Sequence, residues 1–335
     1  MLSLASTALI FLQLSPVSGS GHHMSPRRLR ARQNGSHNVT NFLGADDLSV
    51  FGTEFTHPDD HGVIAVSLGF QKCGTTMMYG MLEHHPDVLN VGAKELHYLA
   101  GPEPSNCLSE GSPADLQALY TNCFRGESPL SGQAVLDFTP SYGITEYRSN
   151  FKQTVQSLSK GGATFRFVAV LREPTARAVS SLNMKRKNNE GDYGSMTDEE
   201  LNEELSQKLK LRQNGGISRF ISDGEYADSL EGWLEDFDKE SLLVINNAAL
   251  NDIPTWKRIY KHFGLAVPSN KEIRAALKDT NDVYTAQQAE KYKEANTEYY
   301  EASPELIKEL NEHYAPYDKR LWKLLGVSPW WNTTV

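Results

Sequence analysis

Four stretches of the chain carry unbroken apolar runs: GVIAVSLGF (62–70), GQAVLDFTP (132–140), TFRFVAVLREP (164–174) and SLLVINNAAL (241–250). Continuous runs of this kind, as opposed to alternating ones, predict strands buried on both faces. Between them, apolar positions return with helical spacing. TTMMYGMLEHHP (75–86) sets Met77, Met78, Met81 and Leu82 on an inner face and ends at Pro86. Glu146 to Lys160 carries a second helical pattern. In GEYADSLEGWLEDF (224–237), Tyr226, Leu230, Trp233, Leu234 and Phe237 share one face, as core residues would. The tail LIKELNEHYAPYDKRLWKLLG (306–326) is amphipathic and is expected to pack back on the sheet. Residues 183–215 are polar and charged, and predict a mobile loop plus an exposed helix. Strands alternating with helices imply an α/β fold: a parallel central sheet flanked by helices, in one domain spanning 59–330.

Composition narrows the class. The chain has 335 residues, with a hydrophobic share of 39% and a charged share of 22%, which is the balance of a soluble protein with a sizeable core. A net charge of −9 excludes a globally basic nucleic-acid binder but leaves room for a local basic cleft. Residues 1–20 include an apolar stretch from Leu2 to Val17, short for a membrane span and suited to a cleaved secretory signal or a short anchor. No Lys or Arg precedes it, whereas Arg27, Arg28, Arg30 and Arg32 follow. Residues 21–58 read as a flexible stem or linker. Glycosylation sequons begin at Asn34, Asn38 and Asn332, and none falls between 41 and 331. That placement fits a lumenal protein of the secretory pathway. Of the three cysteines, Cys107 and Cys123 flank a helical-looking segment and can pair in an oxidising lumen. Cys73 reads as a small filler with no partner base.

The chemistry concentrates in SLGFQKCGTTMMYG. Gly69 and Gly74 stand five positions apart, as in the phosphate loop GxxxxGK[ST]. A strand, a glycine turn and a helix start aim backbone N–H groups at a phosphate. Here, however, Thr75 and Thr76 occupy the Lys and Ser/Thr positions, and the lysine is Lys72, inside the loop. That shift suits a single 5′-phosphate bearing a transferable group. A second anion site lies in VAVLREPTARAVSSLNM. Arg172 ends a strand, Pro174 suits a first helical turn, and Ser180 and Ser181 follow two turns later.

GFQKCGTT resembles the 5′-phosphosulfate loop of sulfotransferases, enzymes that use 3′-phosphoadenosine 5′-phosphosulfate (PAPS). Arg172, Arg177 and Ser180 resemble their 3′-phosphate motif. The likeness extends to the lumenal carbohydrate sulfotransferases of the heparan sulfate type, through KELHYL, LDFTPSYG, GEYADSLEGWLEDF and the closing YAPYDKRLWKLLG. It implies the sulfotransferase fold and PAPS as donor, with no metal required. By the resemblance, Lys72, Cys73, Gly74, Thr75 and Thr76 hold the 5′ end, Arg172 and Ser180 hold the 3′-phosphate, and Tyr226 touches the nucleotide. Glu95 is the expected general base, with His97 assisting, and Lys72 neutralises the leaving phosphate. Asp137, Thr139, Ser141 and Tyr142 are expected to line the acceptor cleft, and the acceptor is expected to be a glycan.

Two positions depart from that pattern. Phe138 stands where the family commonly has a lysine, and LKDTNDVYTAQQ (277–288) offers only Lys278 where a basic loop over the nucleotide is expected. Lys185, Arg186 and Lys187 read as a solvated face able to attract an anionic glycan. Three alternatives stay open: a protein-tyrosine sulfotransferase, a P-loop kinase or NTPase, and a glycan-binding module that kept the fold without catalysis. The loop lysine disfavours the first and the missing Gly-Lys-[Ser/Thr] the second.

Overall fold

Strand β2 (Val63–Gly69) is the pivot of a six-stranded sheet, and all seven of its residues are buried. The computed structural model describes residues 48–55, 62–89, 94–99, 116–295 and 297–332. From β2 the chain passes through α1 (Thr75–Leu82) to β3 (Val88–Leu89) and β4 (Ala134–Asp137), which extend the sheet on one side. It then crosses by α2 (Arg148–Lys160) to β5 (Phe165–Leu171) on the other side. Helices α3 (Pro174–Lys187), α4 (Asp198–Gln213) and α5 (Tyr226–Asp236) lead to β6 (Leu242–Asn246). Strand order is β1-β6-β5-β2-β4-β3, with β1 formed by Ser49–Phe51. Neighbours are parallel, with Val63 facing Ala134, Ile64 facing Phe165 and Phe167 facing Leu242. Parallel strands covered on both faces need apolar side chains at every position, which is why the four runs were legible.

The exception is β1 (Ser49–Phe51), antiparallel to β6 and lying within the stretch expected to be a linker. Arg258 fixes it by donating to the carbonyl oxygens of Ser49 and Phe51, both at 2.6 Å. A strand of three residues secured by a distant arginine leaves no periodic signal.

After β6 come α6 (Ile253–His262), α7 (Asn270–Glu294) and α8 (Pro304–Leu325). The expected exposed helix is α4, and it is not exposed on its inner face. Leu201, Leu205 and Leu209 are at most 1% exposed. They form a second core with Val179 and Leu182 of α3 and Leu306, Leu310 and Tyr314 of α8. One leucine per turn is a narrow stripe, and the acidic and basic residues around it conceal it in composition. Thr197 caps this helix in a reciprocal box with Glu200. The stretch 277–288, expected to be a lid loop, lies inside the 25-residue helix α7.

Cys123 is disulfide-bonded and Cys73 is free. Cys107, Asn34, Asn38 and the apolar N-terminal stretch lie outside the described residues. Asn332 is described and exposed. Among the described residues, no helix is long and apolar enough to cross a membrane.

Candidate active site

The carboxyl ends of β4, β2 and β5 stand side by side, and β2 is the strand on whose two sides the later strands are laid. Such a switch point opens a crevice beyond the strand ends, where α/β proteins hold ligands. Residues 70–74 turn there from β2 into α1. The turn needs its glycines: Gly69 has φ 113° and Gly74 φ 108°. A Cβ at Gly69 would stand 2.2 Å from the Pro140 carbonyl oxygen, and one at Gly74 2.7 Å from Asn247 Nδ2. Lys72 also adopts a left-handed conformation, with φ 70°.

Side chains hold this loop by its carbonyls. Asn247 Nδ2 donates to the Cys73 carbonyl at 2.6 Å, and Arg172 Nη1 to the Lys72 carbonyl at 3.3 Å. Tyr226 Oη donates to the Arg172 carbonyl at 2.9 Å and lies 3.3 Å from Cys73 Sγ. No side chain caps α1. Among the described residues, the N–H groups of Gly74, Thr75 and Thr76 have no protein acceptor, as expected for the first turn of a helix awaiting an anion. Cys73 does not join them. Its N–H donates to Phe70 at 3.1 Å, and its side chain is fully buried. Tyr226, expected at the nucleotide, is 1% exposed, and its hydroxyl braces the glycine loop against the Arg172 segment.

The cleft gathers cations. Burial pushes the Lys72 ammonium down to about 8, and Lys187, Arg172 and Lys94 add repulsion in that order. Arg172 begins the second segment, where Glu173 caps α3 by accepting from the N–H groups of Thr175 and Ala176. The two candidate serines separate cleanly. Ser181 is buried and accepts from Arg177 Nη1 at 3.2 Å. Ser180 is partly exposed and has no protein partner among the described residues. The basic run at the end of α3 also splits. Lys185 pairs with Glu190 and Arg186 with Asp198, whereas Lys187 turns inward and is 8% exposed.

On the opposite side, residues 94–99 run beside the exit of β4 and are fastened mostly by their N–H groups. Asp137 Oδ1 accepts from Leu96 N–H at 3.4 Å, Thr139 Oγ1 from His97 N–H at 3.1 Å, and Tyr142 Oη from Leu99 N–H at 3.1 Å. Phe138 N–H donates to the Lys94 carbonyl at 2.9 Å. Asp137, Thr139 and Tyr142 are bonded to each other as well, with Tyr142 Oη to Asp137 Oδ2 at 2.6 Å. Burial pushes the Asp137 carboxyl up, and the Tyr142, Thr139 and Leu96 donors oppose it. These three were expected to line the cleft. They are at most 2% exposed and stand behind the 94–99 segment instead. Ser141 is buried too, and Phe138 packs against Tyr79.

What this frame presents is Glu95, with its side chain 38% exposed, and His97. Lys94 Nζ lies 2.5 Å from Glu95 Oε1, and His97 Nε2 3.8 Å from Glu95 Oε2. His97 Nδ1 is buried without a hydrogen-bond partner among the described residues. Lys94 sits in the fields of both Glu95 and Lys72, so the carboxylate and the glycine loop address one space.

Sequence reasoning missed Asn247, whose signal was a polar residue just past a buried strand beside the loop. It also missed the inner face of α7 and the segment after it. Gln288 accepts from Lys187, whose ammonium lies 5.5 Å from the centre of the Tyr292 ring. Tyr284 and Tyr299 stand in the field of Arg172.

No protein-family model matches the chain. It is 24% identical over 283 residues to human heparan sulfate glucosamine 3-O-sulfotransferase 3B1, a match covering 80% of this chain and 64% of that protein. It is 21% identical over 275 residues to mouse heparan sulfate glucosamine 3-O-sulfotransferase 5, covering 78% and 72%. The chain therefore spans just under two thirds of the length of the former relative. Among solved structures, a sulfotransferase from Alicyclobacillus acidocaldarius matches with a TM-score of 0.55 at 20% identity, over 79% of this chain and 96% of that one.

Proposed function

We propose that this chain, which shares fold and sequence with the PAPS-dependent sulfotransferases, itself transfers a sulfuryl group from PAPS to a carbohydrate hydroxyl. The observation that carries the reading is the pairing of an amide-presenting loop and its cations with a carboxylate across one crevice. The free N–H groups of Gly74, Thr75 and Thr76 suit phosphate oxygens, and Lys72 supplies positive charge at the bond to be broken. Arg172 and Ser180 suit the 3′-phosphate, since both lie on the second segment and Ser180 keeps its hydroxyl uncommitted.

PAPS supplies the activated sulfuryl group. Glu95 takes the proton of the acceptor hydroxyl as the new O–S bond forms, which raises the nucleophilicity of an otherwise weak alcohol. The S–O bond to the 5′-phosphate breaks, its electron pair stays on the phosphate oxygen, and Lys72 neutralises that charge. His97 stands beside Glu95 and orients it. Asp137, Thr139 and Tyr142 act through the backbone they hold. With Phe138 buried, the strand exit offers no cation at that position, which favours an acceptor less densely sulfated than heparin. The disulfide at Cys123 and the terminal sequons support residence in the secretory pathway, in the Golgi lumen.

The test is calorimetric titration with adenosine 3′,5′-bisphosphate (PAP) and with ATP plus Mg²⁺, followed by transfer from ³⁵S-labelled PAPS to panels of desulfated polysaccharides and tyrosine peptides. Micromolar PAP binding and label on polysaccharide are expected. Preference for ATP with Mg²⁺ would overturn the donor assignment, and label on peptide alone would overturn the acceptor class.

A further inference from the structure

The basic residue expected late in the chain is not at the crevice. Lys278 has a side chain 74% exposed and pairs with Asp282 at 2.9 Å, on the outside of α7. A cation reaches the crevice from a different element. Lys187 closes α3, seven residues after Ser180 and hence on the same face two turns on. Its ammonium points to the long helix α7, where Gln288 accepts from it and the Tyr292 ring lies 5.5 Å away.

Its surroundings set it apart from its neighbours. Lys185 and Arg186 each have a carboxylate. Lys187, at 8% exposure, has none among the described residues. It is held instead by the Gln288 side-chain oxygen and the face of Tyr292, residues one turn apart on α7. A neutral amide and a ring orient an ammonium without cancelling its charge. A buried, uncompensated cation is expensive unless an anion completes the site. Lys187 also stands in the field of Lys72, so its charge adds to that of the glycine-loop lysine in the same part of the crevice.

We propose that Lys187 is a further catalytic residue of this chain, contacting the sulfuryl oxygens of bound PAPS while Gln288 and Tyr292 hold it in place. The proposal rests on the function given above. Lys187 adds positive charge where the sulfuryl group separates from the phosphate, alongside Lys72 at the bridging oxygen.

The experiment compares wild type, Lys187→Met and Lys187→Arg for affinity toward PAP, which lacks the sulfuryl group, and toward PAPS, which carries it. The rate of PAP release from PAPS with the polysaccharide panel is measured in parallel. For Lys187→Met, PAP affinity should stay within about threefold, while PAPS affinity and transfer fall about tenfold or more; Lys187→Arg should recover part of the loss. Gln288→Leu, which keeps the lysine but removes its holder, should show the same pattern more weakly and serves if Lys187→Met does not fold. Equal losses for PAP and PAPS, or no loss for either, would overturn the role of Lys187. A wild type that binds no PAP would instead overturn the proposed function itself.

Discussion

The two walls of the crevice are built by opposite means. On the glycine-loop wall, donors from Asn247, Arg172 and Tyr226 occupy backbone carbonyls, and the N–H groups of Gly74, Thr75 and Thr76 are left facing out. On the 94–99 wall, acceptors from Asp137, Thr139 and Tyr142 occupy backbone N–H groups, and the side chains of Glu95 and His97 are presented. Each wall therefore satisfies the half of its backbone it does not need. An anion cradle needs N–H groups, whereas proton transfer needs a side chain held in one place. The difference teaches that hydrogen-bond polarity behind a wall reveals what the wall offers in front.

The sharpest way to break the comparison is to remove what each wall presents. On the proposed mechanism, Glu95→Gln should lower transfer by about 10²- to 10⁴-fold while PAP affinity is kept, because only the proton acceptor is lost. Lys72→Met should lower transfer by about 10²-fold or more and weaken PAP as well. The same lysine gives the pH test. With its value near 8, it is charged at pH 7 and loses its proton as pH rises past 8, so PAP affinity should fall between pH 7 and 9 and the fall should vanish in Lys72→Met. The sign for stability is the reverse. Between about 8 and 10.5 the unfolded chain holds a proton that the folded one has released, so stability without ligand rises with pH across that window. The lowering corresponds to about 3 kcal/mol as an upper bound, so Lys72→Met should melt higher than wild type at pH 7 when no anion is bound. Smallest in effect are the changes behind the walls. Asp137→Asn should cost transfer about tenfold through misplaced Glu95, and Tyr226→Phe should weaken PAP a few-fold, at about 1 kcal/mol per hydrogen bond lost. If Asp137→Asn weakened PAP and Tyr226→Phe slowed transfer at saturating donor, the division of labour would be wrong.

Much of this frame could be read from residue order alone. The four apolar runs became β2, β4, β5 and β6, and the glycine spacing located the loop, because buried parallel strands and positive-φ turns each demand particular residue types at particular places. Tertiary roles were less legible. Asp137, Thr139 and Tyr142 look like cleft residues in sequence, since polar side chains at a strand exit are equally apt to face a ligand or to fasten a passing segment. Tyr226 posed the same ambiguity. Leu201, Leu205 and Leu209 were masked by charged neighbours, and Gln288 and Tyr292 lie about a hundred residues from the lysine they hold. No local pattern encodes such a pairing.

The hidden thiol of Cys73 has a practical consequence. Burial pushes it up, and Tyr226 encloses it within the glycine loop, so almost no thiolate exists there at neutral pH. A chain that also carries a disulfide thus keeps its free sulfur out of exchange chemistry. Alkylation of that sulfur can proceed only when the loop opens, which makes the rate of labelling a clock for local unfolding at the crevice, readable by mass spectrometry.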